Sequence, residues 1–167
     1  MTLDDLNNLP ESEAIAELTK CCGAHRWVNK VAHRRPYRDA ADLFAAADEV
    51  WEQLDHTDWL EAFTHHPKIG DIDSLRAKFA NTKAWAEGEQ AGTAVASEET
   101  LQGLAEGNAA YEARFGYIFI VCATGKSAQE MLDLLRARLG NTPEHEIQIA
   151  AAEQAKITRL RLEKLLA

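Results

Sequence analysis

Two adjacent histidines, His65 and His66, stand in the segment FTHHPKIGD, residues 63 to 71. The pKa of imidazole lies near neutral pH, so either ring could transfer a proton or bind a metal ion. Because proline disfavours helical backbone in the residue before it, Pro67 predicts that the preceding helix has just ended at His66. The partial negative charge of a helix C-terminus favours an imidazolium there. The segment therefore suggests a proton donor, but leaves open a metal site or an ordinary polar turn.

A metal site would need ligands that converge on one ion. Adjacent residues of a helix point about 100° apart, so His65 and His66 cannot chelate as an i, i+4 pair does, and the sequence contains no HExxH motif. The segment CCGAH, residues 21 to 25, also carries metal-binding atoms, although buried cysteines at a helix end explain it more simply. We therefore expect no metal, and keep as an alternative a metal-dependent hydrolase that uses His65, His66, His25 and Asp71.

Length and composition predict the fold class. The chain has 167 residues, of which 46% are hydrophobic and 7% aromatic. Alanine and leucine are abundant and β-branched residues are sparse, which favours helices over sheets. The length fits one domain over residues 1–167. We expect an all-α fold, formed by a single compact multi-helix domain.

Charge and hydropathy restrict the partners. The formal net charge of −9 repels a polyanion, and no Lys/Arg stripe with interleaved aromatic residues is present, so nucleic acid is not expected as a partner. Mean hydropathy is −0.34 with dispersed charge, which gives little support to the second alternative, a non-enzymatic helical interaction module. No apolar run approaches membrane-spanning length, so no membrane partner is expected. An acidic N-terminus and three cysteines without a disulfide pattern favour a cytoplasmic location.

Capping and periodicity predict the helices. They cover residues 2–8 and 12–22 with caps at Thr2 and Ser12, residues 23–31, a helix after Pro36 that reaches Leu54, and a short helix over 58–65 capped by Thr57. Further helices cover residues 98–114 after Ser97 and before Gly116, residues 128–139 between Ser127 and Gly140, and the C-terminal stretch from Thr142 and Pro143 onward. The C-terminal helix places Gln154, Ile157 and Arg161 on one side.

One apolar segment differs from its helical surroundings. YIFIVCATG, residues 117 to 125, is continuous, rich in β-branched and aromatic side chains, and too short to build a sheet protein. We interpret it as a short extended buried connector. Backbone N–H groups in such a segment need hydrogen-bond partners, so a ligand could be held there.

Several segments, taken together and in order, resemble the motifs of 2-oxo-4-hydroxy-4-carboxy-5-ureidoimidazoline (OHCU) decarboxylases. They are CCGAHRWVNKVAHRRPY, DWLEAFTHHPKIGD, GEQAG, NAAYEARFGYIFIVCATG and EQAKITRLRLEKLL, and they extend over about residues 20 to 166. The resemblance implies an all-helical homodimer that converts OHCU to (S)-allantoin in urate degradation, without a cofactor.

The resemblance also implies the residues of the site. His66 would be the proton donor and Glu89 the acidic residue that orients it or binds the substrate hydroxyl. The remaining implied substrate contacts are Pro67, Ala86, Gln90, Phe119, Ile120, Val121, Cys122, Ala123 and Arg161. Ala86 stands where the family often has a serine, so a hydroxyl contact is missing there or is supplied by Thr82 or Thr93.

Overall fold

The computed structural model describes residues 1–68, 72–77, 79 and 97–167. Helices dominate these residues, and no strand occurs among them. The helices are α1 (Leu3–Asn8), α2 (Glu11–Thr19), α3 (His25–His33), α4 (Ala40–Gln53), α5 (His56–Thr64), α6 (Glu98–Phe115), α7 (Ala128–Leu139) and α8 (Pro143–Leu165), and residues 72–77 are also helical. The all-α prediction is confirmed. No helix in this described part of the chain combines the length and apolarity needed to cross a membrane.

The chain divides into two compact units. The first contains Met1–His66, Ile120–Cys122 and Ile147–Ala167, and the second contains Pro67–Phe119 and Ala123–Glu146. Each unit is described by itself below. A single domain over residues 1–167 stays a prediction.

Three of the predicted helix starts were wrong, and one of them is that of α3, which begins at His25 and not at residue 23. The helix α2 begins directly after Pro10, not after Ser12, and it ends at Thr19, short of the predicted residue 22. Pro10 is the N-cap of α2, with a φ of −52°, and a proline is tolerated there because the missing N–H would lie outside the helical hydrogen bonds. The helix α5 is capped by Asp55, not Thr57, because Asp55 and Asp58 form a reciprocal capping box.

Indole N–H groups tie the helices of the first unit together. Trp51 Nε1 of α4 donates to the carbonyl of Ala151 in α8 at 2.9 Å, and Trp59 Nε1 of α5 donates to the carbonyl of Trp51 at 3.1 Å. Both side chains are buried. A buried indole N–H without a partner would be costly, so these bonds fix α5 and α8 against α4. The bonds thereby hold α5, which His66 closely follows, and α8, which carries Arg161, in one unit.

In the second unit, α6 and α7 approach closely at a glycine. A Cβ atom at Gly107 would lie only 2.6 Å from Leu135 Cδ2, so any larger residue at this position would require the Leu135 side chain to shift. Arg138 donates from Nε and Nη2 to Glu146 Oε2 at 2.9 and 2.6 Å, and the Tyr111 hydroxyl donates to the same oxygen. The side chains of Arg138, Glu146 and Tyr111 are all buried. The hydrogen bonds among them supply the partners that buried polar groups need.

The predicted connector is present between α6 and α7. Gly116 ends α6 with a left-handed φ of 85°, and residues 118–123 are neither helical nor paired as a strand. Ile120 and Cys122 are buried while Val121 is half-buried. Burial on alternate residues is the pattern of extended backbone, so the predicted extended connector is confirmed.

Candidate active site

His66 lies just beyond the end of α5, in the first unit. The backbone N–H of His66 donates to the carbonyl of Phe63 at 3.3 Å, and that of His65 donates to Ala62 at 3.2 Å. These bonds tighten the last turn, and Pro67 then prevents the helix from continuing. As predicted, the His66 side chain leaves the chain where the helix has just ended. It is half-buried.

The partner of the His66 ring is an amide. His66 Nε2 lies 2.5 Å from Gln154 Oε1, and Gln154 is fully buried in α8. Gln154 Nε2 in turn donates to Thr158 Oγ1 at 3.0 Å, one helical turn further along α8. A buried helix face thus holds the ring of His66 in one place.

The side chains of His65 and His66 contact different parts of the first unit. Gly23 lies against the His65 side chain so closely that a Cβ at position 23 would be 2.2 Å from His65 Cγ. His65 therefore packs against the loop between α2 and α3, whereas His66 contacts α8. Among the described residues, no group of three or more His, Cys, Asp or Glu side chains could hold a metal ion. The hydrolase alternative therefore has no support among the described residues. Asp71 lies outside them.

The pKa of His66 is lower than usual for histidine. Burial is the largest cause, and the positive charges of Arg161 and His65 act in the same direction, while the Gln154 hydrogen bond opposes them. We predicted that the helix C-terminus would favour the imidazolium, but the net shift of the His66 pKa has the opposite direction, because burial is its largest cause. The ring is therefore mainly neutral at neutral pH before a substrate binds.

Arg161 lies in the same unit, on α8. Its side chain is half-buried, and Nη1 is 3.4 Å from the carbonyl of Cys21 at the end of α2. Its charge acts on His66 and on the two adjacent cysteines. Burial nevertheless raises the pKa of Cys21 and of Cys22 to about 11, so both are thiols at neutral pH and poor nucleophiles.

The connector contributes to this unit through Ile120, Val121 and Cys122. We predicted that backbone N–H groups here hold the substrate, but the N–H of Cys122 donates to Glu153 Oε1 at 3.1 Å. Glu153 is buried, and its other oxygen lies 2.5 Å from Lys156 Nζ. A substrate contact through the N–H of Cys122 would have to displace this carboxylate. The substrate-binding role of this segment stays a prediction.

The other predicted site residues either belong to the second unit or lie outside the described residues. Pro67 is exposed, and it belongs to the second unit with Phe119 and Ala123. The Phe119 ring packs against Tyr111, with 5.3 Å between ring centroids, and beneath the Arg138 guanidinium at 4.6 Å. These contacts belong to the buried polar cluster described above. Ala86, Glu89 and Gln90 lie outside the described residues, as do Thr82 and Thr93.

The sequence interpretation did not assign Gln154, Thr158 or Glu153 to the site. Gln154 was placed on the same helix face as Arg161, but a glutamine on a helix is usually an ordinary surface residue. The signal that could have found it is the spacing of polar residues on a side that is otherwise apolar: positions 154, 158 and 161 recur at four and three residues.

Comparison with known proteins places these features in a family. The model of the OHCU decarboxylase family matches residues 7–163. Residues of this chain are 40% identical over 147 positions to the uric acid degradation bifunctional protein TTL of Arabidopsis thaliana, covering 87% of this chain and 45% of that protein. The chain thus spans less than half the length of this relative. It is also 31% identical over 132 residues to the OHCU decarboxylase of Amia calva, covering 79% of this chain and 75% of that one.

A solved structure agrees with the sequence comparisons. A crystal structure of OHCU decarboxylase in the presence of (S)-allantoin matches with a TM-score of 0.73 and 38% identity, over 90% of this chain and 96% of that chain. A crystal structure of (S)-allantoin synthase matches with a TM-score of 0.72 at 18% identity, which indicates a shared fold. The resemblance noted from the sequence motifs is confirmed, and the chain belongs to the OHCU decarboxylase family.

Proposed function

We propose that this chain decarboxylates OHCU to (S)-allantoin in urate degradation, without a cofactor, and that His66 delivers the proton. One observation carries the proposal. The chain belongs to the OHCU decarboxylase family, and its His66, the histidine before Pro67, is half-buried. The buried amide of Gln154 holds the His66 ring, and the charge of Arg161 is close enough to lower the pKa of His66. Such an arrangement is suited to moving a proton near an anionic substrate.

The substrate itself makes this chemistry possible. The carboxylate of OHCU sits on a carbon next to a ring C=N bond. When the C–C bond breaks, its electron pair moves towards that C=N bond and carbon dioxide leaves. The carbon of the former C=N bond then takes up a proton, while the hydroxyl on the neighbouring carbon becomes the carbonyl of allantoin and its proton passes to the ring nitrogen. Delivery of the carbon-bound proton from one face sets the (S) configuration. The protein needs to supply position, charge and a proton.

The low pKa of free His66 is compatible with this role. A substrate carboxylate bound near His66 and Arg161 would favour the charged ring, because an opposite charge at close range raises the pKa of histidine. We therefore propose that substrate binding promotes protonation of His66. Arg161 anchors an anionic or carbonyl oxygen, for which a planar guanidinium is suited.

Further roles follow from the family resemblance. Glu89 is proposed to orient His66 or to accept the substrate hydroxyl. The backbone from Phe119 to Ala123 is proposed to hold the ureido group, with Pro67, Ala86 and Gln90 as additional contacts. We also propose a cytoplasmic homodimer without nucleic-acid or membrane partners. Sedimentation at several protein concentrations measures the oligomeric state, and a single monomeric species throughout would contradict the dimer.

The chirality of the product tests the function. OHCU is generated freshly from urate, and the circular dichroism of the allantoin formed is followed with and without the protein. OHCU also decays spontaneously to racemic allantoin, so the buffer alone gives no lasting signal. The protein is expected to produce (S)-allantoin faster than the spontaneous decay. A racemic product at the spontaneous rate would contradict the proposed function.

A further inference from the structure

We propose that Gln154 is a positioning residue: its side-chain carbonyl keeps a proton on His66 Nε2 and thereby leaves Nδ1 as the nitrogen that exchanges a proton with the substrate. The part played by Nδ1 rests on the proposed function. The contact between Gln154 and His66 does not.

The two side chains are held at short range. Gln154 Oε1 lies 2.5 Å from His66 Nε2, and Gln154 has no exposed surface. A buried amide must satisfy both its carbonyl and its NH₂ group within the protein. Here one end faces His66 and the other faces Thr158, whose side chain is also buried. The amide is therefore fixed at both ends.

The hydrogen bond to Thr158 sets the direction of the amide. The Gln154 NH₂ group donates to Thr158 Oγ1 at 3.0 Å, so the side-chain carbonyl is the end that faces His66. A carbonyl only accepts, so His66 Nε2 must donate to it. Donation runs from His66 through Gln154 to Thr158.

The consequence for His66 is a fixed tautomer. An acceptor at Nε2 requires a proton on Nε2 in the neutral ring, and the imidazolium keeps the same proton. Only Nδ1 can then change its protonation state without breaking the bond to Gln154. A neutral amide achieves this orientation without adding charge, whereas a carboxylate in its place would also attract the imidazolium and retain the proton.

Nitrogen NMR of histidine-labelled protein shows which ring nitrogen of His66 carries the proton. Kinetics then test whether this position of the proton matters for the reaction. The full chain is compared with Gln154→Met, which removes the acceptor at similar volume, and with Gln154→Glu, which retains it and adds charge. In the unsubstituted protein we expect the neutral His66 ring to carry its proton on Nε2. Gln154→Met should mix the two tautomers and lower kcat about tenfold or more with little change in KM. Gln154→Glu should keep the Nε2 proton and move the pH profile of kcat/KM to higher pH.

A second pair of variants keeps the test decisive if Gln154→Met fails to fold. Thr158→Val removes the oxygen that accepts from the amide, and Thr158→Ser retains it. Thr158→Val is expected to mix the tautomers and lower kcat, and Thr158→Ser to restore both.

Two results would overturn the proposal: a proton on Nδ1 of the neutral ring in the unsubstituted protein, or a tautomer and a kcat that are both unchanged in the folded Gln154→Met or Thr158→Val variant. An Nε2 proton in a protein that does not turn over OHCU would contradict the proposed function instead.

Discussion

His66 shows how the neighbours of one residue decide its chemistry. The two histidines of the HHP segment are chemically identical, but the His65 side chain packs against Gly23 and the His66 ring reaches a buried amide. The sequence favoured His66 over His65 as the proton donor, because Pro67 marks the position where the helix ends, and this role stays a prediction. It did not predict the direction of the pKa shift, which depends on burial and on an arginine 95 positions later along the chain.

The lowered pKa of His66 predicts a pH dependence of stability. Between the unfolded pKa of about 6.5 and the lower folded pKa, the unfolded chain binds more protons than the folded one. His66 therefore contributes stability that is complete above about pH 6.5 and is lost as the pH falls through the folded pKa. Urea unfolding at pH 7.5 and 5.5 should show a larger loss in the unsubstituted protein than in His66→Gln.

The difference between these losses should be below about 1 kcal/mol, since His66 is only half-buried. His65→Gln serves as the control, because it replaces the neighbouring histidine, whose side chain is exposed. An equal loss in the unsubstituted protein and in His66→Gln would contradict the assigned direction of the pKa shift.

Arg161 makes a second prediction at the scale of single residues. Arg161→Lys keeps the charge but loses the planar pair of N–H donors, so we expect KM for OHCU to rise about tenfold, with a smaller change in kcat. Initial rates at varied OHCU measure both constants. Arg159→Lys is the matched control, since Arg159 is an exposed residue of the same helix that lies over the Phe44 ring. An unchanged KM in Arg161→Lys would mean that Arg161 does not bind the substrate and that its role is limited to the contact with the Cys21 carbonyl.

Among the elements, α5 and α8 decide the geometry of the site. Helix periodicity and capping residues predicted that both exist and where α8 begins. The start of α5 was misplaced, because Asp55 and Thr57 are both good caps and only the reciprocal bond with Asp58 distinguishes them. A capping box formed by two aspartates leaves a weaker mark in the sequence than the usual pair of Ser or Thr with Glu. The indole bonds that hold α5 and α8 to α4 could not be foreseen, since they join side chains to backbone carbonyls far away in the sequence.

A substitution in the loop between α2 and α3 tests what positions the end of α5. Gly23→Ala would place a Cβ 2.2 Å from Cγ and 2.6 Å from Cβ of His65, and these atoms cannot move without the backbone at the end of α5. We expect a loss of about 1–3 kcal/mol in the free energy of unfolding, typical of overpacking, and a lower kcat because His66 is displaced. Urea unfolding and product formation measure the two effects.

Gly140→Ala is the matched control for this substitution. The nearest atom to a Cβ at position 140 lies at an ordinary 3.7 Å, and the backbone of Gly140 is right-handed, so alanine should be neutral or slightly stabilising there. If Gly23→Ala were as stable and active as Gly140→Ala, the contact with His65 would not position the end of α5.

At the scale of the whole molecule, composition and periodicity were sufficient for the fold class. The family followed from five short segments in order, which the comparisons confirm over residues 7–163. The net charge of −9 shows that an anionic substrate is not attracted by the molecule as a whole. Recognition must then depend on local groups, which the guanidinium of Arg161 can supply. Composition reports none of this local arrangement, so the pairing of His66 with Gln154 required a structure.

The most direct test of this account is the rate of (S)-allantoin formation by His66→Asn, measured beside His65→Asn. A positioned acid or base typically contributes 10²–10⁴-fold, so His66→Asn should lower kcat by about 100-fold or more while far-ultraviolet circular dichroism still reports a helical fold. His65→Asn, in the neighbouring and more exposed position, should stay within a few-fold of the unsubstituted protein. Near-normal formation of (S)-allantoin by His66→Asn would contradict the assignment of His66 as the proton donor.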